Sequence, residues 1–404
     1  MRTCPSPGSG PGSNKSWPPR AQAAGVSEPD EQRRIEVLAG TGIAAKLPAV
    51  LRRMRAQRVL VVATPNAVHR TGAAGWLVGH DHDYFHDIVS NPQAADVVRG
   101  AGAVARYRPD VVLGIGGGST LDTAKAVRLL PPTGAEAERI LCGVDPVPAT
   151  KPPRLVVIPT TAGPGSEVTT FATIYLGRRK QSLDHPAVRA DVALIDPLLT
   201  RTCPPTLTAH CALDATAHAI ESWWSPRARP SSRALARGAL SHLTPILRTG
   251  FRDTTTRQRE LLSSAAVMAG HAIDLTRTTA AHAFAYPTTA QFGVAHGLAC
   301  ALHLVWLLPF TLAELDREPS GSRMAKEETD QLLTLLGART AAESGAALAR
   351  LLSLADCPTR LGEVGVRASD LEPMFEEALS NNRAQNHPVA LRKAPVLKLL
   401  RSRL

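Results

Sequence analysis

PDVVLGIGGGSTLDTAKAV (109–127) runs from an apolar stretch through a glycine triplet into an Ala- and Leu-bearing segment with helical spacing. The apolar part reads as a buried strand, the glycines as a tight turn, and the remainder as a helix whose first turn follows that turn directly. Working outward, the same alternation recurs. RIEVLAG (34–40), RVLVVAT (58–64) and RLVVIPTT (154–161) are further short β-like runs, each followed by polar or helical sequence. FATIYLGRRKQSL (171–183) and ADVALIDP (190–197) read as strands near the end of this half. Strand alternating with helix argues for a parallel sheet with helices on both faces. After Pro197 the β signal stops, and Ala- and Leu-rich segments with helical periodicity run to the end.

The expected organisation is therefore an α/β domain over 31–199 and an all-helical domain over 200–404. Residues 1–30, rich in Pro, Gly and Ser, read as a disordered extension. EPSGSRMAKEE (318–328) reads as a polar connector between helices.

The chain has 404 residues, 44% of them hydrophobic and 20% charged, as in ordinary globular proteins. Its formal net charge of +11 could serve nucleic acid, an acidic surface or an anionic small molecule. The arginines are scattered, as in RRMRAQR (52–58) and GRRK (177–180), without interleaved aromatics, so nucleic acid is not an expected partner. The six cysteines are dispersed without a C-x-x-C pair, which fits a reducing cytoplasm better than a disulfide framework. No membrane span and no signal peptide are expected.

Three features carry chemistry. The triplet Gly116, Gly117 and Gly118 lets backbone approach a pyrophosphate, and the helix start offers free N–H groups and partial positive charge to it. Ser119 can cap that helix or bond a phosphate, and Asp122 and Lys125 lie a turn further on. PTTAGPGSEVTT (159–170) places Thr160, Thr161 and Ser166 in a second turn after a strand, where open α/β sheets bind ligands. Finally, Asp214 and His218 stand four apart in CALDATAHAIES (211–222), on one helix face. With His282, in an Ala-rich run reading as helix until Pro287, and His296, they make a carboxylate and three imidazoles able to converge on a divalent metal.

Taken in order, GGGSTLDTAK (116–125), PTTAGPGSEVT (159–169), DATAHAIES (214–222) and HAFAYPTTAQFGVAHG (282–297) resemble the iron-dependent (group III) alcohol dehydrogenase family. The resemblance covers nearly everything from Arg34 onward. It implies an α/β dinucleotide domain and an all-helical domain with the active site in the cleft between them. It also implies metal ligation by Asp214, His218, His282 and His296, holding Fe²⁺ or Zn²⁺. Cofactor contacts are implied at Gly116, Gly117, Gly118, Ser119, Asp122, Thr160, Thr161, Ser166 and Lys180. Where many members carry a second histidine four residues after the third ligand, this chain has Tyr286, a less ready proton shuttle at neutral pH.

A narrower resemblance, in RTTAAHAFAYPTT (277–289), YLGRRKQSLDHP (175–186) and NNRAQNHPVAL (381–391), is to phosphonoacetaldehyde reductases. It implies an anionic aldehyde substrate, with Arg277, Thr278 and Thr279 presenting donors near the metal and Asn382, Arg383 and His387 as a second polar cluster. After RVLVV the chain reads ATPN (63–66) with no acid to repel a 2′-phosphate. Thr64 and Asn66, with Arg70, therefore point to NADPH rather than NADH. A homodimer fits the class. The competing readings are a dehydroquinate-synthase-like lyase and a catalytically inactive nucleotide-binding regulator.

Overall fold

The computed structural model describes residues 35–149, 151–177, 179–317 and 324–404. The extension over 1–30 and most of the polar connector's start, 318–323, lie outside the described residues. Six strands, β1 (Glu36–Ala39), β2 (Arg58–Val62), β3 (Asp81–Phe85), β4 (Val111–Gly116), β5 (Arg154–Pro159) and β8 (Val192–Ile195), form one sheet in the order β1-β8-β5-β4-β2-β3. Every pairing in it is parallel. The four inner strands, β2, β4, β5 and β8, are buried on both faces, which is why they read as unbroken apolar runs. Alternate residues serve opposite cores. Leu60, Val112, Leu155 and Val157 pack on one side, and Val59, Val61, Leu113 and Val156 on the other.

Two departures from the sequence reading matter. β3, DHDYF, was not expected, because an edge strand whose first three residues face solvent shows neither an apolar run nor alternation. FATIYLGRRKQSL does not join the sheet as one strand. It folds into an antiparallel hairpin of β6 (Phe171–Leu176) and β7 (Arg179–Asp184), reversing at Gly177 with φ +60°. One face of the hairpin buries Ala172, Ile174 and Leu183 in the core. By the strand period of two, the other carries Phe171, Thr173 and Tyr175 with Lys180, Ser182 and Asp184.

After Ile195 the regular elements among the described residues are helices, beginning at Pro205. The Pro205–Trp224 helix is buried nearly all round, packed by Pro230–Thr249, Thr256–Thr276 and His296–Arg317. The last of these, contrary to the sequence reading, is long and apolar enough to cross a membrane, but most of it is buried in the protein's own core. The Ala280–Phe292 helix continues through Pro287 rather than ending there. Burial of its neighbours holds it in place, and the Thr288 hydroxyl donates to Phe284 O in the same turn (2.9 Å).

The halves meet backbone to backbone. A Cβ on Gly163 would lie 2.6 Å from Cys211 Cα, and one on Gly165 would lie 2.5 Å from Gly270 Cα. Beside them, Asp274 accepts from Thr170 N (2.7 Å) and Thr170 Oγ1 (2.6 Å). Gly165 also has φ +67°, so Gly165→Ala combines left-handed strain with overpacking. The expected loss is about 2–4 kcal/mol, seen as a lower urea midpoint at unchanged slope.

Candidate active site

The Pro205–Trp224 helix supplies Asp214 and His218, the Ala280–Phe292 helix supplies His282, and His296 is the first residue of the next helix. Their close approach depends on Gly297. A Cβ there would sit 2.0 Å from His210 O and 2.8 Å from Asp214 Cβ, so only glycine lets these helices touch. His218 Nε2 and His282 Nε2 lie 3.7 and 3.6 Å from Asp214 Oδ1. The His218 and His282 rings stack at 4.7 Å, and His296 meets His282 edge-on at 5.2 Å.

Asp214 Oδ1 and His282 Nε2 are buried without a hydrogen-bond partner. Leaving such atoms unpaired is costly, and a divalent cation between them satisfies both, so the donor set fits a metal. Burial pushes His218 down to about 4 against the pull of Asp214, keeping it in the neutral form that ligates metals. Burial alone would push Asp214 up, but His218, His282 and His296 hold it well below the carboxylate range.

Sequence reasoning missed Glu221. It is fully buried, three residues after His218, and accepts from Thr279 Oγ1 (2.7 Å), Ala281 N (2.8 Å) and the His282 Nδ1 edge. A carboxylate on the far nitrogen of a ligating histidine fixes its tautomer and aims Nε2 at the metal. The signal was present in DATAHAIES, where Asp214, His218 and Glu221 share one face of a helix.

The strand order reverses between β2 and β4, the place in open parallel sheets where a crevice outside the carboxyl ends can take a ligand. Gly116 ends β4, and Gly117 caps a ten-residue helix, Gly118–Val127. A Cβ on Gly118 would meet Pro164 Cγ at 2.7 Å, and one on Gly117 would meet Thr161 Cγ2 at 3.4 Å. This bare helix start, walled by Thr161, fits a pyrophosphate. Thr160 is buried in the adjoining turn and closes it with Thr160 N on Gly116 O (2.9 Å). The Ser119 hydroxyl accepts from Asn91 N (3.3 Å). Thr64 caps the helix after β2 through Ala67 N (3.2 Å), leaving Asn66 and Arg70 exposed beside it.

Two expected contacts, Asp122 and Ser166, are committed elsewhere, as is the neighbouring Lys125. Ser166 Oγ donates to Asp122 Oδ1, and Asp122 Oδ2 accepts from Thr173 N (2.9 Å). Lys125 is fully buried and donates to Ser166 Oγ, Thr169 Oγ1 and Phe171 O. This network ties the glycine-turn helix to the hairpin, so the Asp122, Ser166 and Lys125 side chains brace the crevice from behind.

The hairpin's polar face meets the helical half as a ladder. Asp184 pairs with Arg277 (2.9 Å), Ser182 Oγ accepts from Arg383 Nη2 (3.3 Å), and Lys180 Nζ stands 3.9 Å over the Tyr286 ring. Tyr286 in turn stacks on His296 at 5.8 Å. Burial would raise the Tyr286 phenol, but Lys180 and then Arg383 bring it below its ordinary value. The expectation for Arg277 and Thr278 as anion donors needs correction. The Arg277 guanidinium is held by Asp184 and Asp274, so an anion would compete with two carboxylates. Thr278 is buried and its carbonyl accepts from Asn386 Nδ2 (3.0 Å), while Thr279 Oγ1 serves Glu221 and Trp224. Of the second cluster, Asn382 is exposed and His387 is buried on Thr311 and Trp224. Only Arg383 reaches the hairpin.

A glycine-cradled helix start in one half and a buried carboxylate–imidazole cluster in the other define the class: a metal- and dinucleotide-dependent enzyme. Comparison with known proteins makes this specific. The model of the iron-containing alcohol dehydrogenases matches residues 35–197, and that of the C-terminal part of the Fe-containing alcohol dehydrogenase family matches 208–404. The chain is 31% identical over 364 residues to long-chain-alcohol dehydrogenase 1 of Geobacillus thermodenitrificans, covering 85% of this chain and 88% of that one. It is 32% identical over 328 residues to the phosphonoacetaldehyde reductase of Streptomyces viridochromogenes, covering 79% and 82%. The sulfoacetaldehyde reductase of Bifidobacterium kashiwanohense, solved in complex with NAD+, has the same fold, with a TM-score of 0.83 at 23% identity over 93% and 98% of the two chains. The chain belongs to the iron-containing alcohol dehydrogenase family. It is an oxidoreductase of alcohols and aldehydes that uses NAD(P)H and a divalent metal.

Two substitutions test the site. Glu221→Ala strands His282 Nδ1 and two buried donors, so metal affinity should fall about 10- to 100-fold, measured by metal content after chelator dialysis. Gly117→Val should crowd the helix start beside Thr161 and abolish dinucleotide binding in titrations while the circular dichroism spectrum is kept.

Proposed function

We propose that this protein reduces a small aldehyde bearing an anionic group, phosphonoacetaldehyde being the leading candidate, with NADPH as reductant. The observation carrying this reading is the half-buried Lys180 ammonium, which stands over Tyr286 beside His296. A charge partly withdrawn from water there would stabilise a dianionic phosphonate more than a surface lysine would. Arg383, on the next rung of the ladder, supplies a planar fork for paired hydrogen bonds to the same group. The wording shared with the phosphonoacetaldehyde reductases falls on these elements, and the Streptomyces relative of that name supports it. The absence of an acid after β2, with Arg70 exposed nearby, supports NADPH.

In this reading Asp214, His218, His282 and His296 hold the metal, Glu221 orients His282, and the Gly116–Ser119 turn with Thr160 and Thr161 seats the pyrophosphate. When bound, the metal supplies Lewis-acid polarisation of a carbonyl and the nicotinamide supplies hydride. The chain's own part is to hold the two reactants together across the cleft and to fix the substrate's anion between Lys180 and Arg383. A proton from solvent completes the alcohol, and the Tyr286 phenol, stacked on His296 and brought below its ordinary value by Lys180 and Arg383, helps to pass it.

The test is NADPH consumption with phosphonoacetaldehyde and with propanal. Wild type should prefer the phosphonate. Arg383→Met should cost about 2–3 kcal/mol, roughly 30- to 150-fold in kcat/KM, for the phosphonate and little for propanal. Arg277→Ala, which disturbs a bracing ion pair, should slow both alike. A wild-type preference for propanal would leave only the general alcohol dehydrogenase assignment.

A further inference from the structure

The donor set extends beyond the carboxylate and three imidazoles. Cys300 lies four residues after His296 on the same helix, is fully buried, and has Sγ 3.8 Å from His296 Nε2. The ligating atoms of Asp214, His282, His296 and Cys300 all lie within 4.8 Å of one another. Neighbouring donors around a divalent ion, with bonds near 2.0 Å to nitrogen or oxygen and 2.3 Å to sulfur, stand about 3–3.6 Å apart. The Asp214–His282 separation of 3.6 Å and the His296–Cys300 separation of 3.8 Å are close to that. The one-turn spacing on the helix brings the sulfur to His296, and the packing of the other helices brings Asp214 and His282 to the same point.

We propose that Cys300 coordinates the metal through Sγ as a further donor beside Asp214, His218, His282 and His296, making this an oxygen, nitrogen and sulfur site. The inference rests on the reading of these residues as a metal centre. On binding, the S–H bond breaks, its proton leaves to solvent, and a sulfur electron pair forms the bond to the ion with no change of oxidation state. A thiolate is a soft donor and biases the site towards Zn²⁺ and Co²⁺ over Fe²⁺ and Mn²⁺.

The full-length protein loaded with Co²⁺ tests this by absorption spectroscopy. The wild type should show visible d–d bands together with an intense near-ultraviolet sulfur-to-cobalt band. Cys300→Ser should lose the near-ultraviolet band, keep the visible ones, and bind Zn²⁺ at least about tenfold more weakly with Mn²⁺ affinity unchanged. Cys211→Ser should keep both bands. Visible bands without the near-ultraviolet one in the wild type would overturn the thiolate and leave the carboxylate–imidazole centre standing. Failure to bind cobalt at all would overturn the centre and the thiolate together. If Cys300→Ser does not fold, X-ray absorption of the wild-type zinc protein decides. A sulfur shell near 2.3 Å supports the proposal, and a shell of nitrogen and oxygen alone overturns it.

Discussion

The buried Glu221 carboxylate is the interaction on which the active site depends. It lies at 0% exposure, and burial alone would push its pKa up. The charges and donors around it, His282 first, hold it down instead. Those donors come from the loop and first turn before and at His282, whereas Glu221 itself is on the helix carrying Asp214 and His218. One side chain therefore satisfies N–H groups of one helix start and fixes the His282 ring against the helix that carries Asp214 and His218. Removing it would disturb helix packing and the carboxylate–imidazole cluster together.

Close packing of small residues makes the arrangement possible. Gly297 lets the His296 helix touch the Asp214 helix, and Gly163 and Gly165 do the same where the threonine-rich turn meets the helical half. Backbone contacts this close leave the two halves little freedom to shift without clash.

The hairpin decides what else faces the cluster. Its two-residue period sends Leu183 into the α/β core and Lys180, Ser182 and Asp184 towards the helices. Asp184 neutralises Arg277 and Ser182 holds Arg383, while Lys180 keeps its charge beside Tyr286. The anion-binding reading accordingly passes from Arg277 to Lys180 and Arg383. Composition offered no basis for that choice, since all three are cations in otherwise similar settings.

The sequence by itself determined the parallel sheet, because strands buried on both faces must be written as apolar runs. It also determined the glycine turn between β4 and the helix that follows it. That Asp214 and His218 lie side by side was legible because i and i+4 share a helix face, whereas their convergence with His282 and His296 was expected only from the resemblance to a known family. The polar edge strand β3, the hairpin and the passage of a helix through Pro287 were decided by tertiary contacts, since local propensity is silent or contrary at each. So were the partners of Glu221, Lys125 and Arg277. A carboxylate, amine or guanidinium withdrawn from water takes its part from the group that folding brings to it, and these reach partners as far as 61, 46 and 93 residues away along the chain.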